Sequence, residues 1–264
     1  MSYAPNIVVH VGASSLECQL SPSRIQLAVR LAAALLALFG SAVAADQTYA
    51  VTALGLYDPV NGLGSSAGTI NARGEIGGTA STRINGDWRI GAVWIRGRWT
   101  YFPEPPGATH VNTTYINDDG LVVANATFGV DTRPFLWTEE GLFDLGTLGG
   151  GRALASGINA LGHVIGDSDL GVNGAAHAFL WDGESMIDLP PTDSRVPYSV
   201  AGGLNDADVV VGSTQLYFGG GYRAVIWDQE SITQLPILPG RRAAHANAII
   251  TPASKQMTVH VAAA

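Results

Sequence analysis

The segment Ala155-Ser-Gly-Ile-Asn159-Ala-Leu-Gly-His-Val-Ile-Gly-Asp167 decides the fold, because varied copies of it occur four times along the chain. Each copy has an Ile-Asn or Leu-Asn pair, a short turn and then a run of mostly apolar or small residues. The paired asparagines are Asn71, Asn117, Asn159 and Asn205, at spacings of 46, 42 and 46 residues. A period of about 40–50 residues is typical of proteins that stack one supersecondary unit several times.

A tryptophan follows each asparagine after 20–23 residues, at Trp94, Trp137, Trp181 and Trp227. Each ends an apolar run, and an indole ring buries a large area, so we interpret the four tryptophans as core anchors. The asparagines fit turns, since an Asn side chain accepts a hydrogen bond from the backbone two residues on. Glycine three residues later accepts positive φ, and Asp208, its replacement in the fourth copy, tolerates the same conformation.

Each copy divides into four short segments with strand composition, bounded by Gly, Pro, Asn and Asp. Four strands in a unit of this length predict an all-β, β-propeller-like array of four-stranded blades. An open stack of sheets or a β-solenoid is the alternative. The repeats span roughly 49–66 (partial), 67–107, 113–151, 155–192, 201–240 and 245–264 (degenerate). The array thus has about four full repeats; Tyr49–Gly55 matches a fourth strand, and His245–Ile250 matches a first strand.

The first 44 residues carry the pattern of a secretory signal peptide. Arg24 and Arg30 precede the apolar stretch 31–39, and Ala42-Val-Ala44 has the small residues of a cleavage site. The apolar stretch is shorter than the roughly 20 residues that a membrane-spanning helix needs. We therefore expect a leader and signal peptide at 1–44, cleavage near Ala44 and an extracellular or periplasmic β-repeat domain at 45–264, without a transmembrane anchor.

The charge balance argues against nucleic acid as a partner. The chain has 14 Lys and Arg against 22 Asp and Glu, a formal net charge of −8, and Lys255 is its one lysine. Nucleic-acid binding depends on basic residues that neutralise phosphates. Cys18 is the only cysteine and lies before the expected cleavage site, so the mature domain would form no disulfide.

Three segments resemble the bacterial extracellular repeats named HAF after a tripeptide. They are the run His177-Ala-Phe-Leu-Trp181, the run Asp144-Leu-Gly-Thr-Leu-Gly-Gly150 and the recurring pattern Ile-Asn-x-x-Gly-x-Val-x-Gly. The resemblance covers about residues 49–250. It implies a secreted or surface-associated β-repeat protein, and it provides no catalytic residues to transfer.

Residues with metal or catalytic chemistry are sparse in this sequence. Asp167, Asp169 and Asn173 have the alternating spacing of a calcium loop, yet the twelfth position, where a bidentate Glu belongs, is Ala178. We treat the three as a weak calcium candidate and expect no other metal site, no cofactor and no catalytic residues. No nucleophile elbow, phosphate-binding loop or metalloprotease motif occurs.

The residues that break the repeat are the candidates for function. We select Trp88, Tyr217, Phe218 and Tyr222, because loops on a rigid scaffold carry binding residues. The leading hypothesis is a non-catalytic, exported module that presents loops to a glycan or an envelope macromolecule. The alternatives are a secreted carbohydrate-active or other hydrolase with acids at the propeller centre, and a structural protein that self-associates in the envelope or matrix. Oligomeric state does not follow from the sequence.

Overall fold

The computed structural model describes residues 54, 65–82, 88–138, 140–171, 175–217, 221–228, 231–237, 243–250 and 258–263. The chain divides into two units, Met1–Thr52 and Ala53–Ala264, and all described residues belong to the second. The predicted signal peptide and its cleavage site lie outside the described residues. So does the predicted strand Tyr49–Gly55, apart from Leu54. No helix able to cross a membrane occurs in the described ranges.

Eighteen strands form five separate sheets within the described residues. Sheet 1 contains β1 (Ser65–Ile70), β2 (Ile76–Thr82), β3 (Trp88–Ile95) and β4 (Arg98–Tyr101). Sheet 2 contains β5 (His110–Ile116), β6 (Val122–Phe128), β7 (Asp131–Thr138) and β8 (Gly141–Asp144). Sheet 3 contains β9 (Ala153–Ile158), β10 (Val164–Asp169), β11 (Ala176–Trp181) and β12 (Met186–Leu189). Sheet 4 contains β13 (Ser199–Leu204), β14 (Val210–Gln215), β15 (Tyr222–Trp227) and β16 (Ile232–Gln234). Sheet 5 contains β17 (Ala244–Ile250) and β18 (Thr258–Ala263).

Each four-stranded sheet is an antiparallel meander built from one repeat, with its strands hydrogen-bonded in chain order. The first strands of consecutive sheets contact one another, from β1 through β5, β9 and β13 to β17. A solenoid would instead pair strands of different repeats into continuous sheets. The β-propeller-like array is therefore confirmed. In the degenerate last repeat, β18 pairs with β17 and takes the place of a second strand.

The turns after the first strands have the predicted chemistry. Gly74, Gly120 and Gly162 have φ of 76°, 84° and 86°, and Asp208 has φ of 59°. In the first copy, Asn71 Oδ1 accepts a hydrogen bond of 3.0 Å from the backbone N–H of Arg73, two residues on. The same contact recurs in the second and fourth copies.

The hydrophobic core lies between neighbouring sheets. One cluster joins Ile165 and Leu180 of sheet 3 to Val210 and Trp227 of sheet 4, and similar clusters lie between the other neighbours. The second strands are buried on both faces, as the apolar runs predict; every residue of β14 is buried. The anchor role predicted for the tryptophans holds fully only for Trp227, which is 2% exposed.

The other three repeat tryptophans are half-buried, which corrects the expectation of four equivalent core anchors: Trp94, Trp137 and Trp181. Trp137 and Trp181 pack against inter-sheet clusters, and the Trp137 ring lies against Phe102 at a centroid distance of 4.7 Å. Their position at the end of a strand, beside the gap between two sheets, leaves part of each ring uncovered.

A β-bulge recurs in the first strand of every four-stranded sheet, three residues before the asparagine. Opposite the bulge in sheet 3 lies Gly166, and a Cβ atom built there would lie 2.0 Å from the carbonyl oxygen of Leu154. Gly212 has the same close approach to Val200 in sheet 4. A bulge bends its strand, so the small residues of the repeat allow the close passage of the first two strands.

Candidate functional site

The asparagines and tryptophans mark the same end of every four-stranded sheet. Strand pairing places each tryptophan opposite the residue that opens the second strand, as Trp181 lies opposite Val164. The turn between strands one and two and the hairpin between strands three and four therefore share one end. We call this end the asparagine face.

A ladder of side-chain hydrogen bonds crosses the asparagine face from sheet to sheet. Nδ2 of Asn71 donates to the backbone oxygen of Asn117 at 2.9 Å, and Nδ2 of Asn117 donates to that of Asn159 at 3.0 Å. Nδ2 of Asn159 donates to the backbone oxygen of Asn205 at 3.1 Å. The four side chains are at most 8% exposed, so these bonds form in a shielded environment.

The ladder ends in the fourth sheet. Asn205 Oδ1 closes its own turn by accepting from the backbone N–H groups of Ala207 and Val209, both at 3.0 Å. Its Nδ2 is buried and has no hydrogen-bond partner among the described residues. In the next copy, Ile250 stands where the asparagine would be, three residues after the bulge at Asn247.

Two aspartates add further bonds between sheets on this face. Asp118 Oδ1 accepts from the backbone N–H of Ala72 at 2.7 Å, and Asp206 Oδ1 accepts from that of Ala160 at 2.9 Å. Each aspartate directly follows a ladder asparagine. These carboxylates therefore hold neighbouring turns together.

One cleft on the asparagine face has a volume of about 760 Å³ and spans sheets 1, 2 and 3. We call it the Trp cleft; its lining includes Trp137, Phe143, Trp181, Arg73, Glu75 and Thr138. Both tryptophans are half-buried and Phe143 is 46% exposed, so aromatic surface faces the opening. Two contacts fix Glu75: Arg73 Nη2 lies 2.7 Å from its Oε2, and Asn71 Nδ2 donates to the same atom at 2.8 Å.

A second cleft, with a volume of about 550 Å³, lies on the same face between sheets 3 and 4. We call it the acidic cleft; its lining includes Asp182, Asp188, Asp208 and Asp228 around Leu189 and Trp227. Two imidazoles hold carboxylates here: His163 Nδ1 lies 2.8 Å from Asp208 Oδ1, and His177 Nδ1 lies 2.8 Å from Asp188 Oδ1. The backbone hydrogen bond from Ser185 is the main cause that lowers the pKa of Asp182.

Three of the binding-surface candidates chosen from the sequence lie at the opposite end of the sheets: Trp88, Tyr217 and Tyr222. Trp88 opens β3, and Tyr222 opens β15, where the chain enters each third strand. Tyr217 is 65% exposed, whereas the Tyr222 ring packs on His245 with centroids 5.0 Å apart. Phe218 lies outside the described residues. These residues and the two clefts therefore belong to different faces, and the surface role of the former stays a prediction.

The weak calcium candidate has a different environment from that of a calcium loop. Asp167 lies within β10, where its Oδ1 accepts a 3.1 Å hydrogen bond from the backbone N–H of Ala201 in sheet 4. Burial raises the pKa of Asp167 to about 6, against the opposing effects of Ala201 and Arg152. Asp169 ends the same strand, and Asn173 lies outside the described residues. Among the described residues, no group of three or more His, Cys, Asp or Glu side chains is placed to hold a metal ion.

No protein-family model matches the chain, and no curated protein sequence matches it. Among solved structures, the fold is similar to that of TolB from Acinetobacter baumannii, with a TM-score of 0.44 and 12% sequence identity. The match covers 75% of this chain and 51% of that structure, so the chain spans about half its length. The resemblance to the HAF repeats stays a prediction.

The sequence predicted neither cleft. It also did not predict the hydrogen bonds that the asparagine Nδ2 atoms donate to the neighbouring sheet. The signal for the ladder was the retention of asparagine in all four copies, since aspartate closes such a turn equally well but has no amide N–H group to donate. The signal for the acidic cleft was Asp208, the one copy in which a carboxylate replaces the turn glycine.

Proposed function

We propose that this chain is a secreted, non-catalytic binding module that holds a glycan in the Trp cleft. The supporting observation is the combination of exposed aromatic surface, from Trp137, Trp181 and Phe143, with the fixed Arg73–Glu75 pair in one open cleft. The proposal keeps the binding role expected from the sequence and moves it to the asparagine face.

The chemistry of the cleft suits a sugar. Aromatic side chains combine a large apolar surface with fixed geometry, and the C–H faces of a pyranose ring pack on such surface. Binding pockets add a few placed polar groups that fix orientation, and Arg73, Glu75 and Thr138 offer donors and acceptors for hydroxyl groups. A cleft of about 760 Å³ has room for a short oligosaccharide.

The scaffold around the cleft keeps these groups in position before binding. Glu75 is held by Asn71, whose Nδ2 also donates to the neighbouring turn, and Trp137 is packed on Phe102. Groups that are already ordered lose less conformational entropy when a ligand binds. The asparagine ladder therefore contributes to binding through rigidity rather than through contact.

A glycan array followed by titration tests the proposal. The full chain is applied to bacterial envelope and plant-type glycans, and hits are titrated by tryptophan fluorescence, because two indoles line the cleft. Phe143→Ala removes an exposed ring from the cleft, and we expect it to weaken binding about tenfold, the loss of one stacking contact of about 1.4 kcal/mol. Tyr217→Ala, an exposed aromatic at the opposite end, is the matched control and should bind as the parent does.

Three results would contradict the proposal in different ways. Binding to no glycan would reject the function. Loss of binding in Tyr217→Ala with Phe143→Ala unaffected would move the site to the opposite end. Shortening of a bound glycan, followed by chromatography, would favour the hydrolase alternative. Melting temperatures of both variants separate lost binding from lost folding.

A further inference from the structure

The acidic cleft has a chemistry that the Trp cleft does not share. Of the residues that line it in the described part of the chain, four are aspartates and none is a lysine or arginine. Its floor is formed by four apolar residues, Leu180, Leu189, Val210 and Trp227. All four are buried and belong to the core cluster between sheets 3 and 4. The cleft therefore presents negative charge above a hydrophobic floor.

Local structure fixes the carboxylates of this cleft. Asp182 follows Trp181, and its Oδ1 accepts from the backbone N–H groups of Glu184 and Ser185 at 3.0 and 2.9 Å. Asp228 follows Trp227 in the same way, and its Oδ1 accepts from the backbone N–H of Ser231 at 2.7 Å. These two aspartates close equivalent hairpins in neighbouring sheets.

Asp188 and Asp208 are held by histidines. His177 and His163 each donate from Nδ1 to an Oδ1 atom, so the carboxylates have defined positions rather than free rotamers. Asp208 also accepts from Asn159 Nδ2 at 2.9 Å, which ties it to the asparagine ladder. The other three full copies have glycine at the position of Asp208. Among the four full copies, only the junction between sheets 3 and 4 therefore has a carboxylate at this turn position.

We propose that the acidic cleft binds the side chain of a lysine in an extended peptide segment of a partner protein. The aspartates supply charge complementarity for an ammonium group, and the apolar floor covers the methylene stem, as long basic side chains require. The proposal is independent of glycan binding, because it concerns another cleft.

The rim of the cleft favours a peptide over a free polyamine. Ile187 is 40% exposed and Ile232 is 38% exposed, and both line the opening. They lie in β12 and β16, the outermost strands of sheets 3 and 4. Exposed apolar side chains on both sides of a charged site give contacts to the residues that flank a lysine in a peptide. A polyamine has no flanking side chains that could contact these two isoleucines.

The test uses titration calorimetry of the full chain with the peptide acetyl-Leu-Lys-Leu-amide. The same peptide acetylated on Nζ is the neutral probe, and spermidine is the polyamine probe. We expect binding of the lysine peptide that weakens with added salt, binding of the acetylated peptide reduced about fivefold or more, and weaker binding of spermidine than of the lysine peptide.

Variants locate the site within the chain. The double variant Asp188→Asn with Asp208→Gly should weaken the lysine peptide about fivefold. Asp208→Gly restores the glycine that the other copies have at positive φ, so the turn is preserved. Asp144→Asn is the matched control, since Asp144 occupies the place of Asp188 in sheet 2, pairs with Arg133 at 3.2 Å and lines neither cleft.

The proposal is overturned by absence of binding at millimolar peptide, or by equal binding of the two peptides. An effect of Asp144→Asn as large as that of the double variant would show non-specific attraction to an acidic protein. Tighter binding of spermidine than of the peptide would reject a protein partner. The comparison of the two peptides uses the parent chain alone, so it decides the question even if the double variant does not fold.

Discussion

At the scale of single residues, the ladder asparagines combine two tasks because an amide carries both a donor and an acceptor. Oδ1 of Asn117 accepts from the backbone N–H groups of Asp119 and Leu121 and so closes its own turn. Nδ2 of the same side chain reaches the backbone oxygen of Asn159 in the next sheet. Aspartate could do the first task but, when ionised, not the second. The inter-sheet bond therefore accounts for asparagine in the first three copies, whereas Asn205 makes only the turn bonds among the described contacts.

Two alanine substitutions should separate these tasks. Asn117→Ala removes the turn bonds and the bond to Asn159, and leaves buried backbone groups without partners. We expect the free energy of unfolding to fall by about 2–4 kcal/mol. Asn205→Ala removes only the turn bonds, since Nδ2 of Asn205 has no hydrogen-bond partner among the described residues. We expect the free energy of unfolding to fall by about 1–2 kcal/mol. Urea unfolding followed by circular dichroism measures both.

Asn117→Asp is the control that isolates the inter-sheet bond. It keeps the acceptor for the turn but places a buried carboxylate oxygen beside the Asn159 oxygen, so it should lower the free energy of unfolding at neutral pH although the turn bonds persist. Equal costs for Asn117→Ala and Asn205→Ala would show that the bond between sheets contributes nothing measurable to stability.

At the scale of the strand, the recurrent bulge determines where the repeat needs glycine. Gly166 lies opposite the bulge in β9, and the Leu154 carbonyl and the Phe179 ring surround its Cα. Sheet 2 has Ala124 in the equivalent position, opposite the same bulge, so that sheet accommodates a methyl group there. Gly78 and Gly212 approach a carbonyl of the first strand equally closely, so sheets 1, 3 and 4 share the need for glycine and sheet 2 is the exception.

Gly166→Ala should consequently destabilise the protein. A new Cβ would lie 2.0 Å from the Leu154 oxygen and 2.7 Å from the Phe179 ring, so backbone and ring must both shift. We expect a loss of about 1–3 kcal/mol, the usual cost of overpacking. Thermal and urea unfolding provide the measurement.

Gly68→Ala provides the comparison for this effect. Gly68 lies in the bulge of β1 itself, and the nearest atom to a new Cβ there is 3.6 Å away, an ordinary contact. Its cost should be below about 0.5 kcal/mol, because Gly68 is exposed and the new methyl group would make only ordinary contacts. A Gly166→Ala protein as stable as Gly68→Ala would mean that β9 moves without cost.

Most of the strand order was accessible from the sequence because the copies could be compared with one another. The Asn-x-x-Gly turn and the apolar run after it have local physical causes, φ and burial, that leave a mark on composition. The bulge leaves no such mark on composition, because an unpaired extra residue in one strand depends on how the partner strand aligns with it. The sequence predicts four equivalent core tryptophans for the same reason: the exposure of each ring depends on the neighbouring sheet, not on its own segment.

At the scale of the whole molecule, the clefts were beyond prediction because each joins residues of different repeats. Glu75 and Trp181 line the same cleft although 106 positions separate them in the chain. Such proximity follows from how the sheets stack, which periodicity alone does not determine. Asp208 breaks the repeat and lines the acidic cleft, but the sequence predicts for it only a variant of the turn glycine. The described residues that the sequence favours for binding, Trp88, Tyr217 and Tyr222, lie at the opposite end of the sheets.

The junction of sheets 3 and 4 should give the molecule a measurable dependence on pH. In sheet 2, Asn125 bonds both backbone groups of Ala155, donating at 3.2 Å and accepting at 2.9 Å. Asp167 occupies the same position in sheet 3 and, when ionised, can only accept, as it does from Ala201. Burial, the largest cause, raises its pKa to about 6 from an ordinary 3.8.

Because the folded state holds this proton more tightly, the contribution of Asp167 to stability is greatest below pH 3.8. It falls as pH rises through about 6, and the total change is about 3 kcal/mol. Asp167→Asn should remove this dependence and raise the free energy of unfolding at pH 7, since the amide can donate as Asn125 does. Urea unfolding of both proteins from pH 4 to 8 gives the difference in their free energies of unfolding directly. The titration of groups that both proteins share cancels in this difference. Parallel curves for the two proteins would show that Asp167 titrates normally, and that the link between sheets does not depend on its protonation.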